Sequence, residues 1–191
     1  MKKVLFAAAV LLSAAFAQAQ SIHPRVEVGA NIANGITKLS DVKVDSKAVV
    51  GFRAGVSAEI DLASGIYLAP GLYFKQEGYK FKNADEKARL DYLSIPVNLG
   101  IRVGLDNLLA VSVEAGPSFS YGISASEKSY FSENPAYKRF DMGINASAAI
   151  EYSRAFLRVG ADLGLVNNLK NALAKSSYRN TSFFVGVGYR F

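Results

Sequence analysis

From Val26 onward the chain alternates. Phe183, Val185, Val187, Tyr189 and Phe191 take every second position near the end, with Ser182, Phe184, Gly186, Gly188 and Arg190 between them. The same period of two runs through Val26–Ala33, Val50–Ile60, Leu93–Arg102, Leu109–Phe119, Phe140–Ile150 and Leu157–Leu165. Successive side chains of a strand point to opposite faces, so this period predicts strands with one apolar face and one small or polar face. Gly65–Gly78 reads as a further strand, less clearly, because Tyr67, Tyr73 and Phe74 fall on both parities. The reading is eight strands of about ten residues each, a length that crosses a bilayer at a tilt.

The connections carry a second pattern. Asp61–Ser64, Gly104–Asn107 and Tyr152–Arg154 are tight, whereas Asn34–Lys47, Glu77–Arg89, Ser124–Lys138 and Asn167–Asn180 are long. Short and long alternate strictly, as they do in an up-and-down meander with all tight turns at one end. Transmembrane barrels of outer membranes have this arrangement. A soluble up-and-down barrel has the same period with its apolar face inward, so the other face must decide. In water that face is rich in Lys, Glu, Asp and Gln. Here it is mainly Gly, Ser, Ala and Asn with single charges, and small residues suit the crowded interior of eight strands. The expected fold is therefore all-β, an eight-stranded antiparallel up-and-down transmembrane β-barrel with its apolar face toward lipid. Closure also pairs every backbone N–H and C=O, which lipid demands.

The first residues follow a different rule. Lys2 and Lys3 precede an apolar run from Val4 to Phe16, and Ala17-Gln18-Ala19 is a small-x-small cleavage site. Residues 1–19 read as a secretory signal peptide and 20–191 as the barrel domain. The apolar run is shorter than the roughly 20 residues of a spanning helix, so a membrane anchor is the weaker reading. Gln20, not Cys, follows the cleavage site, which argues against a lipid anchor. Loss of Lys2 and Lys3 takes the formal charge from +6 to +4.

Composition then narrows the chemistry. The 191 residues include no Cys and one His, so disulfides, thiolate catalysis, Cys-ligated metals and His-based triads are poorly served. No cofactor, metal or catalytic residue is expected. On the apolar-out phase Glu27, Arg53, Glu59, Arg102, Glu114, Asp141, Glu151, Arg158, Asp162 and Arg190 all point into the lumen. Buried charges persist when paired. These ten read either as a salt-bridged plug that fixes register or as a polar conduit or proton path. Eight strands leave no aqueous channel, which favours the plug.

The long connections hold the positive surplus, and Lys170, Lys175 and Arg179 lie in a stretch without acids. A basic rim would bind lipopolysaccharide phosphates or an anionic partner; otherwise it is an ordinary solvated face. No loop interleaves aromatics and Arg at base-stacking spacing, so nucleic acid is not implied. The glycine pairs Gly51/Gly55, Gly160/Gly164 and Gly186/Gly188 have no strand–turn–helix context for phosphate and read as small lumen residues. His23, before the first strand and next to Pro24, reads as a solvated linker residue.

Leu90–Leu99 (LDYLSIPVNL), Phe140–Tyr152 (FDMGINASAAIEY), Gly160–Val166 (GADLGLV) and Ser182–Phe191 (SFFVGVGYRF) carry a resemblance. They resemble the outer-membrane β-barrel domain family common in Bacteroidetes, often labelled porin-family or PorT-like. The resemblance covers most of 20–191 and implies location in the outer membrane of a Gram-negative bacterium. It implies little about activity. Terminal Phe191, with Tyr189 two residues earlier, resembles the C-terminal strand signal read by the outer-membrane assembly machinery.

The functional expectation is a structural or binding platform with its recognition surface on the long loops. Its partners are outer-membrane lipid, lipopolysaccharide and an unidentified protein. The alternatives are a porin-like channel for small solutes or ions, an outer-membrane enzyme and a secretion-machinery component. An enzyme would have to rely on loop carboxylates such as Asp85, Glu86, Glu127 and Glu133. The signal-peptide reading has a direct check: the N-terminal peptide of the membrane-extracted protein, read by mass spectrometry, begins at Gln20.

Overall fold

The computed structural model describes residues 21–39, 42–44, 46–81, 87–125, 139–166 and 177–191. Among these, nine strands follow one another: β1 (Ile22–Leu39), β2 (Val42–Val44), β3 (Ser46–Ala63), β4 (Ile66–Phe81), β5 (Lys87–Gly104), β6 (Leu109–Ala125), β7 (Phe140–Tyr152), β8 (Ala155–Gly164) and β9 (Ser177–Arg190). The three-residue β2 folds back on the end of β1, with Thr37 opposite Val44. The other eight each pair antiparallel with the next, and β9 returns to β1 with Tyr189 opposite Val26 and Phe183 opposite Ile32. The result is a closed eight-stranded antiparallel barrel without a free side. No helix of the described residues is long and apolar enough to cross a membrane.

The start of β1, Ile22, and the end of β9, Arg190, lie at the tight-turn end. Ser153, the first central residue of the two-residue turn between β7 and β8, has φ of 56°. Positive φ at that position gives a primed hairpin turn, whose twist matches that of the flanking strands. Gly65 turns the β3–β4 hairpin at φ 74°. The seam is finished by the last residue, whose amide donates to the Pro24 carbonyl at 2.9 Å.

The outer face is apolar and open. Val28, Val56, Leu99, Val113, Ile150 and Val159 are each more than half exposed to the surroundings. Exposed apolar side chains on this scale need lipid as their solvent. Phe140 and Tyr152, both exposed, mark the two ends of the 13-residue β7. At a tilt of about 40° such a strand rises roughly 30 Å, close to the hydrocarbon thickness of a bilayer. Tyr121 lies opposite Phe140 at one level, and Tyr189 and Phe191 lie near Tyr152 at the other.

The strands are longer than expected. β1, β3 and β5 have 18 residues, β6 has 17 and β4 has 16. Most of the expected loop Asn34–Lys47 is strand, and so are both ends of Glu77–Arg89. Beyond the aromatic level lipid no longer imposes an apolar outer face, so the alternation that marks a strand in lipid fades while the backbone pairing continues. Among the described residues the wall stands tallest on β9, β1 and β3 to β6, and the described parts of β7 and β8 reach Phe140 and Gly164 at that end.

The less clear strand resolves in β4. Tyr67, Ala69, Tyr73, Lys75 and Glu77 are buried inside, while Leu72 is exposed outside and Phe74 shares its outward parity. Four lumenal rings lie on glycines of neighbouring strands: Tyr67 on Gly100, Tyr73 on Gly55, Phe184 on Gly160 and Phe156 on Gly188. A Cβ at any of the four glycines would collide with its ring. Each ring thus fills space that the missing side chain frees, and its orientation is fixed by backbone on one side.

Two outcomes test this architecture. The native protein runs faster than its boiled form on a denaturing gel. Gly188→Val, which collides with both Phe156 and the Val26 carbonyl, loses that heat-dependent shift.

Candidate functional site

The lumen is where parity, charge and burial meet. Every second residue of each strand points inside, so the sequence delivers lumen groups at a fixed period and the register decides who meets whom. Glu27, Arg53, Glu59, Glu114, Asp141, Glu151, Arg158 and Asp162 are all at least 90% buried. Arg102 and Arg190 are only partly buried, with side-chain exposures of 16% and 25%, because they stand at the tight-turn mouth.

Three more charges belong to the set. Arg25, Lys75 and Glu77 are buried inside, so the sequence reading of Glu77 as a loop residue is corrected. Arg25 lies one residue before the stretch where alternation was first counted, two positions from Glu27 on the same parity. Lys75 and Glu77 follow Tyr73 on the inward parity of β4, which the aromatics on both faces had obscured. The lumen therefore holds seven acids and six bases among the described residues.

At the tight-turn mouth Arg102 of β5 joins β3 to β7. Its guanidinium grips both carboxylate oxygens of Glu59, at 2.6 Å for Nη2 to Oε2, and donates to Glu151 at 2.9 and 3.1 Å. Ser112 adds a hydrogen bond to Glu151 at 2.8 Å. Arg190 approaches Glu59 at 3.7 Å. Bidentate guanidinium–carboxylate pairs are the strongest and most directional of the ion pairs.

One level up, Glu114 of β6 is the hub. It accepts from Arg25 at 2.6 Å, from Arg158 at 2.8 and 3.1 Å, from Tyr67 at 3.0 Å and from Asn98 at 3.3 Å. Arg25 also donates to Ser57 at 3.1 Å. These donors come from β1, β8, β4 and β5, so one carboxylate ties together strands from around the barrel. Asn98 continues the chain to Asn145 at 2.7 Å, and Asn145 to Asp162 at 2.7 Å.

The next level is held differently. The Arg53 guanidinium lies 4.3 Å from the Tyr73 ring centre and 3.9 Å from that of Phe184, between the two faces. It donates to Asp162 at 3.1 Å, and its Nε stands 3.5 Å from Glu27, too long for a hydrogen bond. Cation–ring attraction and packing therefore hold this group as much as ion pairing does. Nearest the long-loop end, Lys75 pairs with Glu77 at 2.8 Å and with Asp162 at 3.5 Å. Lys75, Glu77, Asp141 and Asp162 line a void of about 10 Å³, room for roughly one water. Above it Leu90 and Tyr92 form a fully buried apolar cluster.

His23 is a residue of β1, opposite Glu59, and not a linker. Its Nε2 lies 3.4 Å from Asp61 and 3.1 Å from Ser21 Oγ, while Ser21 Oγ also bonds Asp61 directly. A nucleophilic triad needs a histidine that bridges base and nucleophile through opposite ring nitrogens. Here both partners meet the same one. Among the described residues no group of three or more His, Cys, Asp or Glu could hold a metal ion.

Lys170 and Lys175 lie outside the described residues, as do Asp85, Glu86, Glu127 and Glu133. Arg179 falls on β9, opposite Ile36. Tyr189 and Phe191 both face lipid, and their rings meet edge to face at 5.1 Å.

A closed barrel with an apolar exterior, aromatic ends and a charged interior defines a class, the β-barrel membrane proteins. The chain belongs to the outer membrane protein beta-barrel domain family, whose model matches residues 16–174. It is an outer-membrane protein of a Gram-negative cell. No curated protein matches it. Among solved structures it resembles Neisserial surface protein A, with a TM-score of 0.55 at 13% identity over 89% of this chain and 97% of that one. It also resembles the outer membrane enzyme PagL, with a TM-score of 0.51 at 12% identity over 85% of this chain and 98% of that one. A third likeness, to the attachment invasion locus protein Ail of Yersinia pestis, has a TM-score of 0.47 at 13% identity, covering 90% and 100%.

Removing one partner from a buried ion pair leaves the rest uncompensated. Glu114→Ala, which leaves Arg25 and Arg158 only the longer pairs to Glu59 at 3.7 Å and Glu27 at 3.4 Å, is expected to lower stability by roughly 3 kcal/mol. Arg190→Ala leaves Glu59 with Arg102 and is expected to cost less than about 1 kcal/mol. Urea unfolding in lipid vesicles, followed by tyrosine fluorescence, measures both.

Proposed function

We propose that this barrel is a sealed membrane platform whose recognition surface is the set of long hairpins at its tall end. The carrying observation is the charged lumen network: every level from Arg102 to Lys75 is crossed by an ion pair between strands that are not neighbours in the sheet. A porin-like role requires a continuous aqueous path, and the void among Lys75, Glu77, Asp141 and Asp162 holds roughly one water.

Recognition then falls to the tall end, because the tight turns offer little surface. Lys170, Lys175 and Arg179 supply positive charge there, suited to the phosphates of lipopolysaccharide or to an anionic protein. The Bacteroidetes, PorT-like affiliation is part of the proposal and rests on the four sequence stretches that resemble it. So are the removal of residues 1–19 and the reading of Tyr189 and Phe191 by the assembly machinery.

The test uses the intact protein in proteoliposomes. Vesicles containing lipopolysaccharide are expected to protect the hairpins from protease, and the triple variant Lys170→Ala, Lys175→Ala, Arg179→Ala to lose at least tenfold of that protection. Equal protection of variant and parent removes the anionic-lipid reading. Discrete current steps from the unmodified protein in planar bilayers remove the sealed platform.

A further inference from the structure

The side chains that fill the lumen are not equivalent as barriers, and this bears on the sealed-platform reading, on which the inference rests. We infer that the seal against ions resides at one level, the Arg53 guanidinium clamped between Tyr73 and Phe184, and that the other charged levels are hydratable.

Consider what water can replace. At the mouth, Arg102 and Arg190 already meet solvent, with 16% and 25% of their side chains exposed. At the Glu114 level each guanidinium has a ring on one side only and farther off, Arg158 at 5.1 Å from Phe156 and Arg25 at 5.8 Å from Tyr67; the rest of the barrier is hydrogen bonds, for which water substitutes at little enthalpic cost. At the Lys75 level there is already space for roughly one water. These levels can swell and conduct.

Arg53 is held in another way. Ring faces lie 4.3 and 3.9 Å from its guanidinium, and water offers no substitute for them. The rings cannot step aside, because Tyr73 lies on the backbone at Gly55 and Phe184 on the backbone at Gly160. The Nε has no hydrogen-bond partner, so entering water gains one bond there without dislodging the group. The clamp joins β3, β4 and β9, and the bond to Asp162 extends it to β8. A cation that reached this level would also meet a fixed positive charge in a desolvated place.

Loss of Arg53 would remove the stopper and invert the local charge. Glu27 would then keep only Arg158 at 3.4 Å, Glu77 and Asp162 would share Lys75, and a path lined in this way prefers cations.

The experiment is single-channel recording from the full barrel in planar bilayers under a potassium chloride gradient, with heat-dependent gel mobility as the check on folding. Arg53→Ala is expected to give discrete steps at least tenfold above background, with a reversal potential displaced toward that of potassium. Phe184→Ala, which opens the clamp and keeps the charge, is expected to leak as well, and it serves if Arg53→Ala does not fold. Arg53→Met, which fills the clamp without charge, stays silent, and so does Arg158→Ala. Silent, folded Arg53→Ala and Phe184→Ala barrels overturn the inference, as does Arg158→Ala conducting as well as Arg53→Ala. Conduction by the unmodified protein instead overturns the sealed-platform reading.

Discussion

Lipid provides no partner for a backbone N–H or C=O, and every other property of this protein follows from satisfying that demand within a sheet. Eight strands close only because β9 finds β1 along 14 paired positions, from Arg25 opposite Arg190 to Lys38 opposite Ser177. Closure creates an inside. With eight strands that inside is just wide enough for side chains, and each strand sends every second residue into it. The interior must then be filled at a spacing the backbone dictates, by groups able to meet across the barrel. Large residues sit where a facing glycine leaves room, as Phe156 does over Gly188, and charges sit where opposite charges can reach them.

Charge inside a membrane protein is costly unless compensated, and compensation here is collective. Glu114 is bonded by two arginines, a tyrosine and an asparagine, and Arg102 by two glutamates. Replacing such a network with apolar side chains can be neutral or even stabilising, so the charges do not explain stability by themselves. What they supply is uniqueness. A slip of one residue in any strand would turn its charges to the lipid and its valines inward. The network penalises that alternative far more than a greasy interior would.

Much of this was legible because the period of two is strongest where the surroundings differ most, in the strand segments between the aromatic levels. Glu27, Glu59, Glu114 and Asp162 could be placed in the lumen from parity alone. Legibility failed where that contrast fades. Arg25 sits near the mouth, one residue before the counted start of alternation. In β4 the aromatic side chains mark both faces, Tyr67 and Tyr73 toward the lumen and Phe74 toward lipid, so Lys75 and Glu77 had no phase to follow. The extra height of β1 and β3 was hidden for the same reason, since strand pairing above the bilayer leaves no apolar stripe. The contacts themselves were beyond reach. Which ring covers which glycine, and which arginine meets Glu114, depends on register between strands, and a single sequence does not record register.

The pairs across the lumen also join distant parts of the chain: Arg25 and Glu114 are 89 residues apart, and Arg53 and Asp162 are 109 apart. Contacts of such long loop closure form late and slowly. A half-closed sheet has no opposite wall, so its charged side chains stay hydrated until the seam between β1 and β9 is made. Drying of the interior and closing of the cylinder are therefore one event. That coupling gives folding a single late barrier and leaves the open sheet, with one wet polar face and two unpaired edges, as the species most in need of a chaperone.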